Sequence, residues 1–256
     1  MGAGGRPFES GRPDHFVIEE STRPMSTEPG LRIGPASSLI VPVAPTPAGY
    51  RIAKRSLDLV AALVGLALAS PILAVVAIAV KLESRGPVLF RQQRLGLGGR
   101  PFTVFKLRTM FSSAEEERHR DHVRDLIRGE ATTEQAGAEA WLPIPSDPRV
   151  TRLGGMLRRS HLDEVPQLIN IVRGEMSLVG PRPPISYEVE VYQPWHLRRL
   201  SVIPGLTGLW QATGWGRLSF DEGVTLDLEY IDRRSFWLDL RLIFRTLWQI
   251  AIGRQF

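Results

Sequence analysis

The stretch that decides the architecture is Leu59 to Val80, LVAALVGLALASPILAVVAIAV, which carries no charged residue. A helix needs about 20 predominantly apolar residues to span bilayer hydrocarbon, so this segment is long enough to enter a membrane. Pro71 lies inside it. Proline lacks a backbone N–H and its ring clashes with the preceding turn, which frees the carbonyl of Ala67. A kink or break is therefore predicted at Ser70-Pro71, with the Ser70 hydroxyl in place to hydrogen-bond a freed carbonyl. Both flanks are basic: Arg51, Lys54 and Arg55 precede the run, and Lys81, Arg85, Arg91 and Arg94 follow it. Lys and Arg beside membrane segments stay on the cytoplasmic side, which disfavours a simple crossing. A helix that enters, turns at Ser70-Pro71 and returns satisfies both flanks, each arm of about ten residues reaching about 15 Å into the membrane. A kinked single span is the alternative that charge leaves open.

Upstream, residues 1 to 50 hold 8 of the 20 prolines and 7 of the 24 glycines and show no periodicity. Such a composition buries too little surface to offset its ordering entropy, so a disordered tail is expected, with Leu39 to Val43 read as part of a solvated linker. The first residues, MGAGGRPFESGRPDHF, lack the apolar run of a secretory signal. The full chain of 256 residues, 43% apolar, suits one sizeable core, and its net charge of +5 would attract acidic partners, nucleic acid or anionic lipid. The absence of cysteine excludes disulfide scaffolds, thiol nucleophiles and Cys-ligated metal sites.

Downstream, PVLFRQQRLGLGGRPFTVFKLRTM reads as a β-hairpin, with strands near Val88 to Arg94 and Phe102 to Lys106 around a Gly-rich turn. GLGG at Gly96 to Gly99 lacks the dinucleotide fingerprint and its βαβ setting. Ser113 and Glu116 have capping-box spacing ahead of a solvated, charged helix, followed by loop to about Trp141. In LRRSHLDEVPQLINIVRG, Leu162, Val165, Leu168, Ile169 and Val172 recur at helical spacing. Pro166 is tolerated only in a first turn, so the helix should begin near Leu162 to Glu164, placing Asp163 and Glu164 at its positive end. There they would be held ionised, as suits a nucleophile or metal ligand, although an acidic N-cap is the commoner use of such a pair. Arg158 and Arg159 upstream, and Arg182 in GPRPP at Gly180 to Pro184, would complete an anion site fit for phosphate. Adjacent carboxylates fit glycoside hydrolysis poorly, because that chemistry needs them on opposite sides of a sugar. His119, His122, His161 and His196 form no triad or metal motif.

Several segments in order resemble the bacterial sugar transferase family, the monotopic polyprenyl-phosphate phosphoglycosyl transferases: KRSLDLV from Lys54, the Ser70-Pro71 break, GPVLFRQQRLG from Gly86, FKLRTM from Phe105, LRRSHLDEVPQLIN from Leu157, GEMSLVGPRP from Gly174 and PGLTGLWQ from Pro204. The resemblance covers roughly residue 51 to the C-terminus. It implies a re-entrant helix with both ends in the cytoplasm, and transfer of a sugar 1-phosphate from a UDP-sugar to undecaprenyl phosphate with release of UMP. It also implies that Asp163 forms a covalent phosphosugar intermediate, that Glu164 takes part in Mg²⁺ binding and catalysis, and that the dyad is the metal site. Arg158 and Arg182 match phosphate-binding arginines, and Lys106 and Arg108 match a basic pair near the site. Two places depart from the pattern. His161-Leu162 stands where Ser-Leu is usual, and ATGWGRLSF, with Gly214, Trp215 and Gly216, stands where a Gly-Arg-Asn triplet is common.

The expected protein is thus an α/β, mostly helical, monotopic membrane enzyme. It comprises a tail over 1–50, a re-entrant helix over 51–84 and a cytoplasmic catalytic domain over 85–256. Its place is the cytoplasmic face of a bacterial inner membrane, in assembly of an exopolysaccharide, O-antigen or related glycoconjugate. Expected partners are the phospholipid membrane and the two substrates, without nucleic acid; a homo-oligomer is left open. The C-terminal SFWLDLRLIFRTLWQIAIGRQF is expected either to lie at the bilayer surface through Trp237, Phe244, Trp248, Arg241 and Arg245 or to pack on the catalytic core. The rival readings are a membrane scaffold in which the dyad only caps a helix, and a nucleic-acid binder, which the apolar segment and the lack of a recognisable binding module oppose.

Overall fold

The apolar segment forms one helix, α1 (Ala48–Glu83), 36 residues long. The computed structural model describes residues 41–111, 149–214 and 218–252, with Arg124 and Ile127 between. The charged helix after Ser113 as a unit, the loop to Trp141, residues 1–40, and Trp215 and Gly216 lie outside these. Helical structure continues through Pro71, so the expected break does not divide the segment into two helices. The Ser70 hydroxyl donates to the Ala67 carbonyl at 2.8 Å, the carbonyl that proline deprives of its partner. Ser84 then turns extended and ends the helix, ahead of Gly86 at φ 127. The boundary drawn at residue 50 moves toward the N-terminus. Val41 is buried and donates its N–H to the Gly98 carbonyl, Ala44 donates to Ser201, and the helix starts at Ala48.

The fold is mostly helical with two small sheets. Strands β1 (Leu89–Leu95) and β2 (Pro101–Leu107) pair antiparallel from Leu89 opposite Leu107 to Leu95 opposite Pro101, the hairpin expected from the Gly-rich turn. After α2 (Arg152–Arg159) comes a 3-10 helix over Leu162–Gln167, then α3 (Leu168–Arg173), which ends at Gly174 with φ 80, a conformation glycine adopts without strain. Strands β3 (Ser177–Val179) and β4 (Gly205–Thr207) run parallel. They approach so closely that a Cβ on Gly205 would sit 2.0 Å from the Gly180 nitrogen, which excludes any side chain there. The short α4 (Ser186–Val189), a 3-10 helix over Pro194–Ser201, α5 (Leu209–Gly214), α6 (Phe220–Arg233) and α7 (Phe236–Ala251) complete the chain. Ser219 and Glu222 cap α6 reciprocally, each side chain accepting from the other's backbone N–H.

Two apolar clusters fasten α1 to the rest. Ala62 joins Val104, Ile171 and Met176, and Val80 joins Leu107 and Leu157. Polar contacts reinforce the N-terminal part. Arg55 donates to the carbonyls of Ile171 and Val172 at 2.6 and 2.8 Å, and Asp58 accepts from the Leu178 N–H at 2.9 Å and the Ser177 hydroxyl at 3.1 Å. Lys54 donates to Val179 O and pairs with the buried Asp239 of α7, both at 2.9 Å. Between the clusters, Leu63, Val64, Leu68, Ile72, Val75 and Ile78 are exposed. Of the two alternatives for α7, packing on the core is seen: Asp239 and Leu242 are buried in it, and Trp237, Phe244, Leu247 and Trp248 face outward.

Candidate active site

The dyad sits in the 3-10 helix, not in the first turn of an α-helix. Pro166 explains the difference: lacking an N–H, it is accommodated inside the 3-10 segment, and α-helical structure begins only at Leu168. A short 3-10 segment offers little macrodipole, so the electrostatics at Asp163 and Glu164 come from burial and side-chain charges. Immediately before them His161 adopts φ 55, the only positive φ at a non-glycine among the described residues. That turn ends the run out of α2 and redirects the chain into the dyad; nothing in the residue pattern announced it.

The two carboxylates have different environments. Asp163 is 8% exposed, and burial pushes its carboxyl from 3.8 up to about 6, against the pull of Lys106. The expected lowering by a helix terminus is thus absent at Asp163, where burial dominates and raises the carboxyl. Glu164 is half-buried and goes the other way. Burial raises it, but Lys106, with Arg182 and His161 adding to its effect, outweighs that cost and holds it below the usual carboxylate range. The Lys106 ammonium lies 2.5 Å from Glu164 Oε1. Strand β2 sets this contact, since Lys106 is its penultimate residue and β2 packs along the 3-10 helix.

The remaining residues singled out by sequence divide. Arg158, in the last turn of α2, donates from Nε to the Thr109 hydroxyl at 2.9 Å, and its charge is felt at Asp163. Arg182 is half-buried on the proline-stiffened loop after β3, and its charge acts on Glu164, Arg94 and Asp227. Arg108 is engaged by the end of α1. It is buried, and its guanidinium donates to the carbonyls of Val80, Ser84 and Arg85 and to the Ser84 hydroxyl, capping the C-terminal end of α1. Ser70 and Pro71 lie in α1, with the helix continuous through them.

Two further groups escaped the sequence reading. Arg94, at the end of β1, is buried beside the Arg182 loop and donates to the Pro183 carbonyl at 2.6 Å. Deeper in the unit, Arg199 pairs with the fully buried Asp227 and donates to the Tyr192 hydroxyl at 3.0 Å. These arginines lie in strings of basic residues that look like ordinary surface, and only long-range pairing reveals their burial.

A small, mostly helical unit carrying one long apolar helix, with a carboxylate dyad set among lysine and arginine side chains, is compatible with a monotopic membrane enzyme that handles anions. The chain belongs to the bacterial sugar transferase family, whose sequence pattern matches residues 49–253. It is 39% identical over 206 residues to the exopolysaccharide production protein ExoY of Rhizobium meliloti, covering 79% of this chain and 87% of ExoY. It is 40% identical over 226 residues to the UDP-glucose:undecaprenyl-phosphate glucose-1-phosphate transferase of Caulobacter vibrioides, covering 84% of this chain and 77% of that protein. With the galactosyl transferase CpsE of Streptococcus agalactiae the identity is 38% over 205 residues, 80% of this chain but 43% of CpsE. The chain thus spans less than half the length of some curated relatives and most of others.

Proposed function

We propose that the protein transfers a sugar 1-phosphate from a UDP-sugar to undecaprenyl phosphate, the committing step in building an exopolysaccharide or related glycoconjugate. The observation that carries this reading is the buried Asp163 next to a Lys106-held Glu164, in a chain whose relatives are named for transfers of this kind. One oxygen of ionised Asp163 attacks the sugar-bearing β-phosphorus, and the bond from that phosphorus to the bridging oxygen breaks, releasing UMP with both bonding electrons. A phosphate oxygen of the lipid then attacks the same phosphorus, freeing the Asp163 carboxylate and leaving a sugar diphospholipid. Neither step leaves a proton unaccounted for, because nucleophiles and leaving groups are anions. Lys106, Arg158 and Arg182 stabilise the negative charge that gathers on the phosphoryl oxygens.

A divalent ion fits this donor set in one mode only. Among the described residues no three His, Cys, Asp or Glu side chains cluster as a cage. Mg²⁺ is commonly held by one or two carboxylates and completed by substrate phosphates, which Asp163 and Glu164 suit. When bound, it would neutralise the donor's diphosphate.

The same reading makes α1 a re-entrant helix with both ends on the cytoplasmic face. In its support, both ends are fastened to one folding unit: Arg55 and Asp58 near the start bond to α3 and β3, and Arg108 at the end of β2 caps the finish. Spacing adds to this. Ala62 and Val80 would lie about 27 Å apart on a straight helix, whereas Val104 and Leu107, members of the same two clusters, are about 10 Å apart along β2. A bend near Pro71 reconciles the two. The exposed apolar residues between the clusters are then the part that lipid covers.

The test is UMP release from a panel of UDP-sugars, with and without undecaprenyl phosphate, by purified full-length protein in lipid nanodiscs. Lipid-dependent turnover with one or more sugars is expected. No UMP from any donor would refute the assignment.

A further inference from the structure

Arg94, like Arg108, is a buried arginine without an ion pair among the described residues, but it lies against the loop that carries Arg182 and not at a helix C-terminus. Its side chain is 5% exposed, yet every partner of its guanidinium is neutral: Nη1 donates to the Pro183 carbonyl at 2.6 Å, and Nε and Nη2 donate to Gln92 Oε1 at 3.1 and 2.8 Å. No carboxylate lies within ion-pair distance of it among the described residues. Arg199, buried to the same degree, has Asp227. Moving a cation out of water is costly unless an opposite charge compensates, so a neutral donor would fill the Arg94 position at lower cost.

Its neighbours make the imbalance worse. Burial first, and then the like charge of Arg182, lower the Arg94 guanidinium to about 10, with Glu188 and Glu164 opposing only in part. The buried Glu188 offsets it most among the carboxylates, but from beyond ion-pair distance, and its own hydrogen bond is to the Tyr192 hydroxyl at 3.4 Å. Glu164 is engaged by Lys106. Arg94, whose Nη1 holds the carbonyl of the residue after Arg182, thus shares its surroundings with the charge of a second guanidinium, and Glu164 of the dyad, the nearby carboxylate held ionised, already has a cation.

Resting on the transferase reading above, we infer that Arg94 is a positioning residue for substrate phosphate: its charge, held against the Arg182 loop by the Pro183 carbonyl and by Gln92 and offset only in part by nearby carboxylates, is compensated when a phosphate group enters beside the dyad. It holds the loop through the Pro183 carbonyl, one residue beyond Arg182, and its positive field drives the Arg182 guanidinium toward the incoming anion. The diphosphate of the donor and the phosphate of the lipid share the chemistry such a charge would recognise.

Two variants separate charge from scaffolding. Arg94→Lys keeps the cation and loses the fork that grips Gln92 and Pro183; Arg94→Met loses both. Full-length protein in nanodiscs is assayed for KM toward UDP-sugar and toward undecaprenyl phosphate separately, and for the thermal shift produced by inorganic pyrophosphate, which reads anion affinity without turnover. For Arg94→Met, at least a tenfold rise in one of the two KM values is expected, with kcat changed less than about threefold, a smaller pyrophosphate shift, and an unliganded Tm at or above that of the parent protein. The substrate whose KM moves identifies the phosphate served. Arg94→Lys should retain both KM values within about threefold. Equal impairment of both variants would make Arg94 a mere latch between β1 and the loop, and unchanged KM values in both would remove it from the phosphate site; either result overturns the inference. A parent protein that releases no UMP would instead end the transferase reading, while the pyrophosphate shifts would still report on Arg94.

Discussion

Replacing Asp163 by Asn should destroy transfer and strengthen the fold. Asp163 is 8% exposed, and its carboxyl rises from 3.8 to about 6 on folding, chiefly through burial. A gap of that size means the folded chain disfavours the ionised form by about 3 kcal/mol relative to the unfolded chain. The sign follows from proton binding. Between 3.8 and about 6 the folded state holds the proton more tightly, so stability falls as pH rises through that window, and the full penalty acts above it. Asparagine fills the same space without charge. The Asp163→Asn variant should therefore gain up to about 3 kcal/mol over the parent at pH 8 and about half of that at pH 5, seen as a Tm higher by several degrees at pH 8. Tryptophan-fluorescence melts of both proteins in the same nanodiscs, at both pH values, read the difference. A variant less stable than the parent at pH 8, or a difference that does not change with pH, would show that burial does not penalise this carboxylate.

The acid limb of kcat/KM should fall near pH 6, with a rate at pH 5 about tenfold below the plateau, because only ionised Asp163 attacks; a profile flat from pH 5 to 8 would contradict this. Excess EDTA should abolish UMP release and added Mg²⁺ should restore it, whereas full turnover in EDTA would leave the charge stabilisation to Lys106 and the arginines alone. In cells, Gly49→Cys and Pro87→Cys, at exposed sites on either side of the apolar run Leu59–Val80, should both resist membrane-impermeant thiol reagents, and the chain contains no other cysteine. Adding Pro71→Leu, which restores the backbone donor, should favour a crossing and put the two sites on opposite faces; labelling of Gly49→Cys alone in the parent segment would contradict re-entry.

What could be read from the sequence was what local pattern determines. A charge-free run, a proline within it and a Gly-rich turn between β-prone strings identify α1, the Ser70–Ala67 contact and the β1–β2 hairpin, because each depends on residues a few positions apart. The neighbourhood of Lys106, Glu164 and Arg182 was legible through ordered motifs. What escaped depends on distant pairing. Arg108 and Arg94 stand in similar basic strings, yet the first caps α1 and the second meets Pro183, 89 residues away. The left-handed His161 and the 3-10 geometry of the dyad were hidden because Pro166 is as compatible with an α-helical first turn as with the turn that forms. Asp163 was misjudged for a related reason: its charge state follows its burial, which no spacing rule supplies.

If Asp163 carries the sugar phosphate between donor and lipid, the adduct can be trapped. Full-length protein mixed with a turned-over UDP-sugar and no lipid acceptor is quenched rapidly, digested and examined by mass spectrometry. A hexose-phosphate mass is expected on the peptide containing Asp163, formed with stoichiometric UMP, discharged by undecaprenyl phosphate and absent from Asp163→Asn. Turnover without any such adduct, or an adduct that persists in the Asn variant, would contradict this role of Asp163.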